Sequence, residues 1–410
     1  MIVAAVIVAS GGGISPLTQF GGLSLLKRSV LTAQKAGAAT CYVAMTDNLG
    51  ILQQELAGDP RVMSRVIWGL PEAAAPSSPE QSQIWLVCPV DAVFRPALIP
   101  YLSGTMVPEQ SLVIPDTEGA PLLVLATEQH ARRLCRELAQ DRSLREAVKL
   151  PGQDLVQGQP PQTHFLNRLS AISDVATLEH ALLRSLENAK DGIVDTHLNR
   201  KFSRSITRWF LRTPVTPNQI TLLAGVSSVL GALCFLPGGY VGPLLGALSL
   251  QFSGVLDCCD GEVARIKFME SPLGDTLDIV CDTIGALAIF LGIGVAVWKN
   301  GGSEHALALG GLLALGGAFS FPLVTLAEKT EEEGKRRGGW EDALMNKLLI
   351  SLTSRDYSLL ILASALMGQL SWFLWGAAFG SHVFWMFLAW LLFRAGRFAY
   401  IRQLWGKGEG

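Results

Sequence analysis

Apolar and polar residues follow different patterns in the two halves of the chain. Over the first 180 residues, short apolar runs alternate with segments whose apolar residues recur at helical spacing, as in strands followed by helices. Buried strands are predicted at 2–9, 41–45, 84–88 and 121–126, and helices at 23–36, 128–140, 143–148 and 177–190. This alternation predicts an α/β domain with a doubly wound, Rossmann-like sheet.

Long apolar runs dominate the chain from about residue 217 onward. Runs of this length are long enough to cross a bilayer as helices. Six such helices are predicted at 217–236, 242–261, 273–297, 306–327, 357–378 and 382–397. We therefore expect an α/β domain over 1–165, a linker with a juxtamembrane helix over 166–215, and an all-α polytopic membrane domain over 216–400.

The segment just before the first long apolar run mixes cations with aromatic and aliphatic residues. These residues are Arg200, Lys201, Arg204, Arg208 and Arg212, with Phe202, Ile206, Trp209, Phe210 and Leu211. The mixture is typical of an amphipathic helix that lies on a membrane surface. An ordinary basic helix on a soluble domain is the alternative interpretation.

Lys and Arg residues are distributed unevenly among the predicted loops. They cluster before the first segment, between the second and third, between the fourth and fifth, and after the sixth, whereas the alternate loops hold only Lys299. Because cytoplasmic loops carry the excess of Lys and Arg, we expect a multi-pass protein of the cell membrane with both termini in the cytoplasm.

Composition argues against two other classes of protein. The formal net charge of -2 gives no indication of a general nucleic-acid binder. The seven cysteines form no spaced C-x2-C pair and have no histidine partners, so the pattern indicates reduced thiols rather than a zinc site. Cys258, Cys259 and Cys281 lie among aspartates, where we interpret them as small apolar packing residues.

Four of the five aspartates between residues 257 and 282, in the predicted membrane domain, lie at helical spacing. Asp257 and Asp260 are three residues apart, and Asp278 and Asp282 are four apart, so on helices each pair projects from one face. Two adjacent helices would bring four carboxylates into a small volume, and divalent cations are the expected compensation. Such oxygen ligands favour Mg²⁺, Mn²⁺ or Ca²⁺ over zinc. Solvated helix-end carboxylates, or carboxylates paired with Arg265 and Lys267, are the alternative.

The pattern D-x2-D-G-x2-A-R-x8-G-x3-D-x3-D resembles the signature of the CDP-alcohol phosphotransferase family. Thr216-Pro217-Asn218-x-x-Thr221 is similar to the start of that family's membrane region. The resemblance covers roughly residues 185–400. It implies a homodimeric membrane enzyme that transfers a phospho-alcohol or phosphatidyl group from a CDP-alcohol to an acceptor hydroxyl and releases CMP.

The same resemblance implies roles for particular residues. Asp257, Asp260 and Asp278 would hold Mg²⁺ or Mn²⁺, with two ions expected. Asp282 would be the general base and a further metal ligand, on the cytoplasmic side of the membrane. The implied CDP-binding residues are Asn218, Thr221, Gly261, Ala264, Arg265 and Gly274. This assignment suits the chemistry, because paired metals can clamp a pyrophosphate and a carboxylate can accept the proton of the acceptor hydroxyl.

Three further cations are candidates for binding the acceptor or a phosphate on it. They are Lys267, Arg337 and Arg355. Each could equally be a cytoplasmic anchor of the kind that the charge distribution predicts.

A glycine triplet and an aspartate at a strand end, both near the beginning of the chain, resemble motifs of the nucleotidyltransferases that form CDP-alcohols from CTP. Gly11-Gly12-Gly13 follows the first predicted strand, and Cys88-Pro-Val-Asp91 resembles the strand whose aspartate holds a metal in that family. The loop 14–20 lacks the Arg and Lys that the family uses against triphosphate charge. The domain is therefore either a degenerate relative kept for folding, dimerisation or regulation, or an active cytidylyltransferase.

The fusion as a whole resembles bifunctional enzymes that make CDP-inositol and condense it with inositol phosphate. The leading hypothesis is a CDP-alcohol phosphotransferase of phospholipid or inositol phosphodiester synthesis. The alternatives are a bifunctional enzyme that also makes its CDP-alcohol from CTP, and a non-catalytic membrane scaffold or transporter, since carboxylates at membrane depth also mark ion paths.

Overall fold

The structure is a computed structural model. It describes residues 2–9, 13–45, 47–71, 83–106, 110–140, 142–149, 155–158, 164–186, 198–302, 304–332 and 357–394. The chain divides into two compact units, Met1–Leu186 with Ile266–Phe268, and Glu187–Arg265 with Met269–Gly410.

The first unit contains both strands and helices. The strands are β1 (Ile2–Val8), β2 (Gln19–Phe20), β3 (Leu23–Ser24), β4 (Thr40–Ala44), β5 (Arg65–Trp68), β6 (Ile84–Pro89), β7 (Ala92–Phe94), β8 (Ser111–Pro115), β9 (Pro121–Thr127), β10 (Leu155–Gln157) and β11 (Leu166–Arg168). The helices are α1 (Leu25–Lys35), α2 (Leu49–Leu56), α3 (Leu98–Thr105), α4 (Glu128–Leu138), α5 (Leu144–Val148) and α6 (Val175–Arg184).

Seven of these strands form one sheet in the order β10-β8-β9-β6-β1-β4-β5. The neighbours β6, β1, β4 and β5 are parallel, and β9 runs antiparallel to both β6 and β8. The chain leaves β1 toward β4 on one side and returns to β6 on the other, which is a doubly wound arrangement. The predicted α/β fold is therefore confirmed.

Apolar side chains on both faces of β1 explain its place inside the sheet. Val6 on β1 packs in one cluster with Val87 of the adjacent β6, Val124 of β9 and Leu134 of α4. Ile7 points to the opposite face and is also fully buried. A strand covered on both faces is expected to be continuously apolar, as the sequence of β1 is.

The second unit is entirely helical over the residues that the structure describes. Its helices are α7 (Arg200–Leu211), α8 (Pro217–Phe235), α9 (Val241–Lys267), α10 (Pro272–Lys299), α11 (His305–Glu332), α12 (Tyr357–Leu366) and α13 (Leu370–Arg394). Five of them, α8 to α11 and α13, are long and apolar enough to cross a membrane, and α12 is a shorter apolar helix. The chain is therefore a multi-pass membrane protein, and its described residues contain five such helices where six were expected over the whole chain.

The boundary between the last two apolar segments differs from the predicted one. We expected a break near 379–381, but α13 runs through Gly376 and Gly380 without interruption, and the break falls at residues 367–369 instead. There Gly368 has a φ of 65° and the amide of Gln369 donates to the carbonyl of Ser364 at 2.8 Å. This is a glycine-terminated helix end, which is a stronger stop signal than a glycine inside an apolar helix.

The buried face of helix α7 contains polar as well as apolar residues. Its buried face includes the polar residues Arg200, Ser203 and Thr207, whereas Phe202 and Trp209 are 58% and 62% exposed. Two of the aromatic residues that predicted a membrane-surface helix thus face away from the rest of the unit. Phe210 and Leu211 are buried together with the polar residues of the packed side.

Candidate metal and nucleotide site

Three of the four predicted aspartates come together between α9 and α10. Asp257 of α9 and Asp278 and Asp282 of α10 each offer a carboxylate oxygen, and these oxygens lie within 4.8 Å of one another. Each of the three residues is half-buried. Among the residues that the structure describes, this is the one group of three or more acidic, histidine or cysteine side chains with metal-binding spacing.

Asp260, the fourth aspartate, lies outside that group and is bonded to α8. The hydroxyl of Thr221 lies 2.5 Å from Asp260 Oδ2 and 3.2 Å from the carbonyl of Pro217. Asp260 and Thr221 are both buried. The predicted CDP-binding residue Thr221 and the predicted metal ligand Asp260 are therefore in direct contact.

The start of α10 approaches α8 closely because Gly274 has no side chain. Ser271 caps α10, and its hydroxyl accepts from the Gly274 amide at 3.1 Å. A Cβ at Gly274 would lie 3.1 Å from Asn218 Oδ1 and 3.2 Å from Ser271 Oγ. Gly274 therefore allows the Asn218 amide to lie beside the first turn of α10. That the two residues bind CDP stays a prediction.

The side chain of Arg265 folds back along α9 over Gly261. A Cβ at Gly261 would lie 3.2 Å from one terminal nitrogen of the guanidinium and 3.4 Å from the other. Ala264 and Arg265 are half-buried on the last turns of the same helix. Small residues at 261 and 264 thus leave the guanidinium next to the backbone of the aspartate segment.

Close packing of α8 against α10 helps to position the helix that carries Asp278 and Asp282. A Cβ at Gly225 would lie 3.0 Å from Cys281 Cβ, and one at Gly285 would lie 2.6 Å from Ser228 Cβ. Glycine at such crossings lets helix backbones approach closely. Cys281 packs against Gly225, which agrees with its interpretation as a small packing residue.

Residues 214–326 match the family described as CDP-alcohol phosphatidyltransferase. The chain carries a CDP-alcohol phosphatidyltransferase domain. Over 152 residues it is 33% identical to a protein of Aquifex aeolicus named bifunctional IPC transferase and DIPP synthase, covering 36% of this chain and 34% of that protein. The chain therefore aligns with about a third of that relative's length.

A further relative is a phosphatidylinositol phosphate synthase of Mycobacterium tuberculosis, 34% identical over 93 residues, which are 23% of this chain and 42% of that protein. Its solved structure in apo form covers 45% of this chain and 95% of that one, with 24% identity and a TM-score of 0.31. The same enzyme was also solved with manganese and citrate. An inositol-1-phosphate CTP transferase of T. maritima covers 43% of this chain and 96% of that one, with 12% identity and a TM-score of 0.31.

Glu262 lies within the phosphatidyltransferase domain, and the sequence-based assignment gave it no role of its own. Its side chain is fully buried and receives hydrogen bonds from Arg200, Ser203 and Thr207 of α7. The sequence does contain a signal for this contact. Arg200, Ser203 and Thr207 recur at the spacing of one helix face, so a polar face of α7 was visible beside its apolar one.

The three candidate acceptor-binding cations are placed only in part. Lys267 is buried at the end of α9. Arg337 and Arg355 lie outside the residues that the structure describes. The acceptor-binding prediction for these three cations stays a prediction.

In the α/β unit, the predicted aspartate follows a strand at the expected edge of the sheet. Asp91 comes two residues after β6, whose neighbour β1 leads toward the glycine-rich loop. Asp91 is buried. Gly11 and Gly12 of that loop lie outside the described residues, and Gly13 has a φ of 76°. Ligands of doubly wound sheets bind at this kind of strand junction.

Proposed function

We propose that this chain is an integral membrane CDP-alcohol phosphotransferase. It transfers a phospho-alcohol or phosphatidyl group from a CDP-alcohol to an acceptor hydroxyl and releases CMP. The observation that carries the proposal is the convergence of Asp257, Asp278 and Asp282 within 4.8 Å, inside the segment that matches the family.

The donor set fits a hard divalent cation. Mg²⁺ binds oxygens at about 2.0–2.1 Å, so oxygens on opposite sides of the ion lie about 4.2 Å apart. The three carboxylate oxygens lie within 4.8 Å of one another, so small side-chain rotations would bring all three within the span of about 4.2 Å that the ligand oxygens of one ion can have. We propose Mg²⁺ or Mn²⁺, with two ions held by Asp257, Asp260, Asp278 and Asp282. Bound ions would supply electrophilic stabilisation of the pyrophosphate charge.

The chain's own residues then supply binding and proton transfer. Asp282 accepts the proton of the acceptor hydroxyl. The hydroxyl oxygen forms a bond to the β-phosphorus, and the bond from that phosphorus to CMP breaks. Arg265 lies along α9 where it can pair with a phosphate or the cytidine. The remaining proposed nucleotide contacts are Asn218, Thr221, Gly261, Ala264 and Gly274. Thr221 additionally orients the Asp260 carboxylate through its hydrogen bond.

The named relatives favour an inositol-containing substrate. They include bifunctional IPC transferase and DIPP synthases and phosphatidylinositol phosphate synthases. Two substrate pairs follow, namely CDP-diacylglycerol with inositol phosphate, and CDP-inositol with an inositol phosphate or lipid acceptor. We further propose that the enzyme is a homodimer in the cell membrane and that its active site and termini face the cytoplasm.

The experiment is an assay of CMP release by the detergent-purified protein with Mg²⁺ or Mn²⁺. Each CDP-alcohol is offered with inositol, inositol phosphate, glycerol phosphate and serine. The expected result is CMP from one pair, abolished by Asp282→Asn. Asp275→Asn is the matched control, because Asp275 is an exposed carboxylate on the first turns of the same helix. Equal CMP release by wild type and Asp282→Asn would contradict the assigned base.

A second candidate function is the synthesis of the CDP-alcohol by the α/β unit. The names of the bifunctional relatives and the place of Asp91 at the strand junction favour it. The absence of Arg and Lys from loop 14–20 weighs against it. The test is pyrophosphate release from CTP and inositol phosphate, compared with Asp91→Asn. A degenerate domain gives no release with either protein.

A further inference from the structure

Glu262 is held by three donors that all come from α7. Arg200 Nη1 donates to Glu262 Oε1 at 3.1 Å, and Ser203 Oγ donates to the same oxygen at 2.9 Å. Thr207 Oγ1 donates to Oε2 at 2.6 Å. Arg200, Ser203, Thr207 and Glu262 are all buried. The charge of this buried carboxylate is compensated within the protein by one cation and two hydroxyls. The metal ions therefore need not neutralise it.

On α9, Glu262 points away from the metal-centre aspartates. At 3.6 residues per turn it lies about 200° around the helix from Asp260 and about 140° from Asp257. One stretch of α9 therefore makes three different contacts. Asp257 lies in the carboxylate cluster with Asp278 and Asp282 of α10. Asp260 accepts a hydrogen bond from Thr221 of α8, and Glu262 accepts one from Thr207 of α7 on the far side of α9.

Two further contacts show that α7 runs alongside α9. Gln251 Nε2 donates to Asn199 Oδ1 at 2.8 Å, and the Cys259 thiol lies 3.6 Å from the carbonyl oxygen of Ser203. Gln251 precedes Glu262 by about 16 Å of helix rise. Contacts at two points that far apart fix both the position of α9 along α7 and its rotation about its own axis.

The geometry of the metal centre is sensitive to rotation of α9. A carboxylate lies about 5–6 Å from its helix axis, so a rotation of about 20° moves it by about 2 Å. Metal–ligand distances tolerate deviations of about 0.2 Å. A contact that restrains the rotation of α9 therefore acts directly on the geometry of Asp257.

We infer that Glu262 is a positioning residue for the metal centre, which acts by fixing the rotation of α9 against α7. The inference rests on the proposed function in one respect, since it takes the aspartate cluster to hold a divalent cation. Glu262 itself neither binds the ion nor contacts a substrate. Its carboxylate and the hydroxyls of Ser203 and Thr207 set where the aspartates point.

The test measures Mn²⁺ binding to the detergent-purified full-length protein by electron paramagnetic resonance of the free ion, which needs no turnover. Thr207→Val and Glu262→Asp keep the buried charge pair but change the contact. We expect each to weaken Mn²⁺ binding by about 10–100-fold, as loss of a residue that orients metal ligands typically does. Ser205→Ala is the matched control, because Ser205 is an exposed hydroxyl on the same helix, and it should bind Mn²⁺ like wild type.

The double variant Arg200→Met with Glu262→Met separates positioning from folding. Replacing a buried ion pair with apolar residues of similar size is often neutral for stability, so we expect the thermal midpoint to stay near that of wild type while Mn²⁺ binding remains weak. A double variant with wild-type binding would overturn the inference. If that variant does not fold, unchanged Mn²⁺ binding in Thr207→Val would overturn it instead.

The outcomes for the wild-type protein separate this inference from the proposed function. Wild type that binds Mn²⁺ but releases no CMP would overturn the proposed activity, and weaker binding by Thr207→Val would still support Glu262 as a positioning residue. Wild type that binds no Mn²⁺ would overturn the metal centre and this inference together.

Discussion

The Thr221 hydroxyl lies 2.5 Å from Asp260 Oδ2, so a residue at the start of α8 is bonded directly to the aspartate motif of α9. The two segments that carry the family resemblance are 39 residues apart in sequence and meet in this bond. Both residues are buried, and a buried carboxylate is expected to be hydrogen-bonded. The bond thus sets the direction in which Asp260 presents its remaining oxygen.

Replacing Thr221 with valine should lower CMP release by about 10–100-fold, because a residue that orients a metal ligand is lost while the side-chain shape is kept. Thr221→Ser retains the hydroxyl and should retain most of the activity. The measurement is kcat with Mn²⁺ titrated at saturating substrate. Equal kcat for the valine and serine variants would mean that the bond is not needed for turnover.

Removing one carboxylate of the cluster should weaken metal binding specifically. Asp278→Asn leaves an amide oxygen that is a weaker, uncharged ligand, so the Mn²⁺ concentration for half-maximal activity should rise at least tenfold. Treatment of wild type with EDTA should abolish activity, and excess Mn²⁺ should restore it. Asp275→Asn should behave as wild type, and an equal shift in both variants would argue against a localised site.

Substituting Gly274 should disturb the nucleotide side of the site. An alanine Cβ there would lie 3.1 Å from Asn218 Oδ1, so the Asn218 side chain must move by a few tenths of an ångström. We expect CDP to bind severalfold more weakly to Gly274→Ala, measured by calorimetry. Gly376→Ala is the control, since a Cβ at Gly376 meets nothing within 4 Å. An unchanged CDP affinity in Gly274→Ala would remove Asn218 from the nucleotide site.

Three buried thiols of the α/β unit should resist alkylation. Burial raises the pKa of Cys41 to about 11 and those of Cys88 and Cys135 to about 12. The thiolate is the reactive form, so N-ethylmaleimide at pH 8 should leave these three unmodified in the native protein and modify them in denaturant. Peptide mass spectrometry gives the extent at each site. Rapid native modification would show that the unit opens readily.

The stability of the α/β unit should fall in acid through Asp59. Hydrogen bonds from the Arg61 side chain at 2.8 Å and 2.6 Å hold the pKa of the Asp59 carboxyl well below its usual range. A lowered folded-state pKa contributes stability above the unfolded pKa of about 3.9, and that contribution is lost as pH falls further. Hydrogen exchange of α1 and α2 should therefore differ between wild type and Asp59→Asn more at pH 6 than at pH 3. Glu118→Gln, at an exposed position, should show no such difference.

Much of the fold follows from local sequence patterns. The apolar runs at 2–9, 84–88 and 121–126 predict β1, β6 and β9 closely, because strands covered on both faces must be apolar throughout. The short strands β5 and β8 were not predicted. Their sequences, Arg65–Trp68 and Ser111–Pro115, are brief, and pairing with neighbouring strands, which is not a local property, decides their conformation.

Part of the site could also be predicted from the sequence. The spacing predicted that Asp257 and Asp260 share one helix face and that Asp278 and Asp282 share another, because helical periodicity fixes which residues share a face. Three of these four predicted aspartates lie in the cluster. The bond between Thr221 and Asp260 and the burial of Glu262 depend on how α7, α8 and α9 pack, and spacing within one helix carries no information about that. Interhelical contacts of this kind are therefore visible only in three dimensions.

The outward apolar face of α7 has a consequence for how this protein assembles. Phe202 and Trp209 face away from the unit while Arg200 and Thr207 face inward. In water alone, Phe202 and Trp209 would be exposed apolar surface, which favours competing arrangements in which they are buried and Glu262 loses its donors. Lipid or detergent covers the aromatic side and removes that competing orientation. Contact with lipid or detergent thus stabilises the observed orientation of α7. Through Glu262, it also stabilises the position of the aspartates of α9.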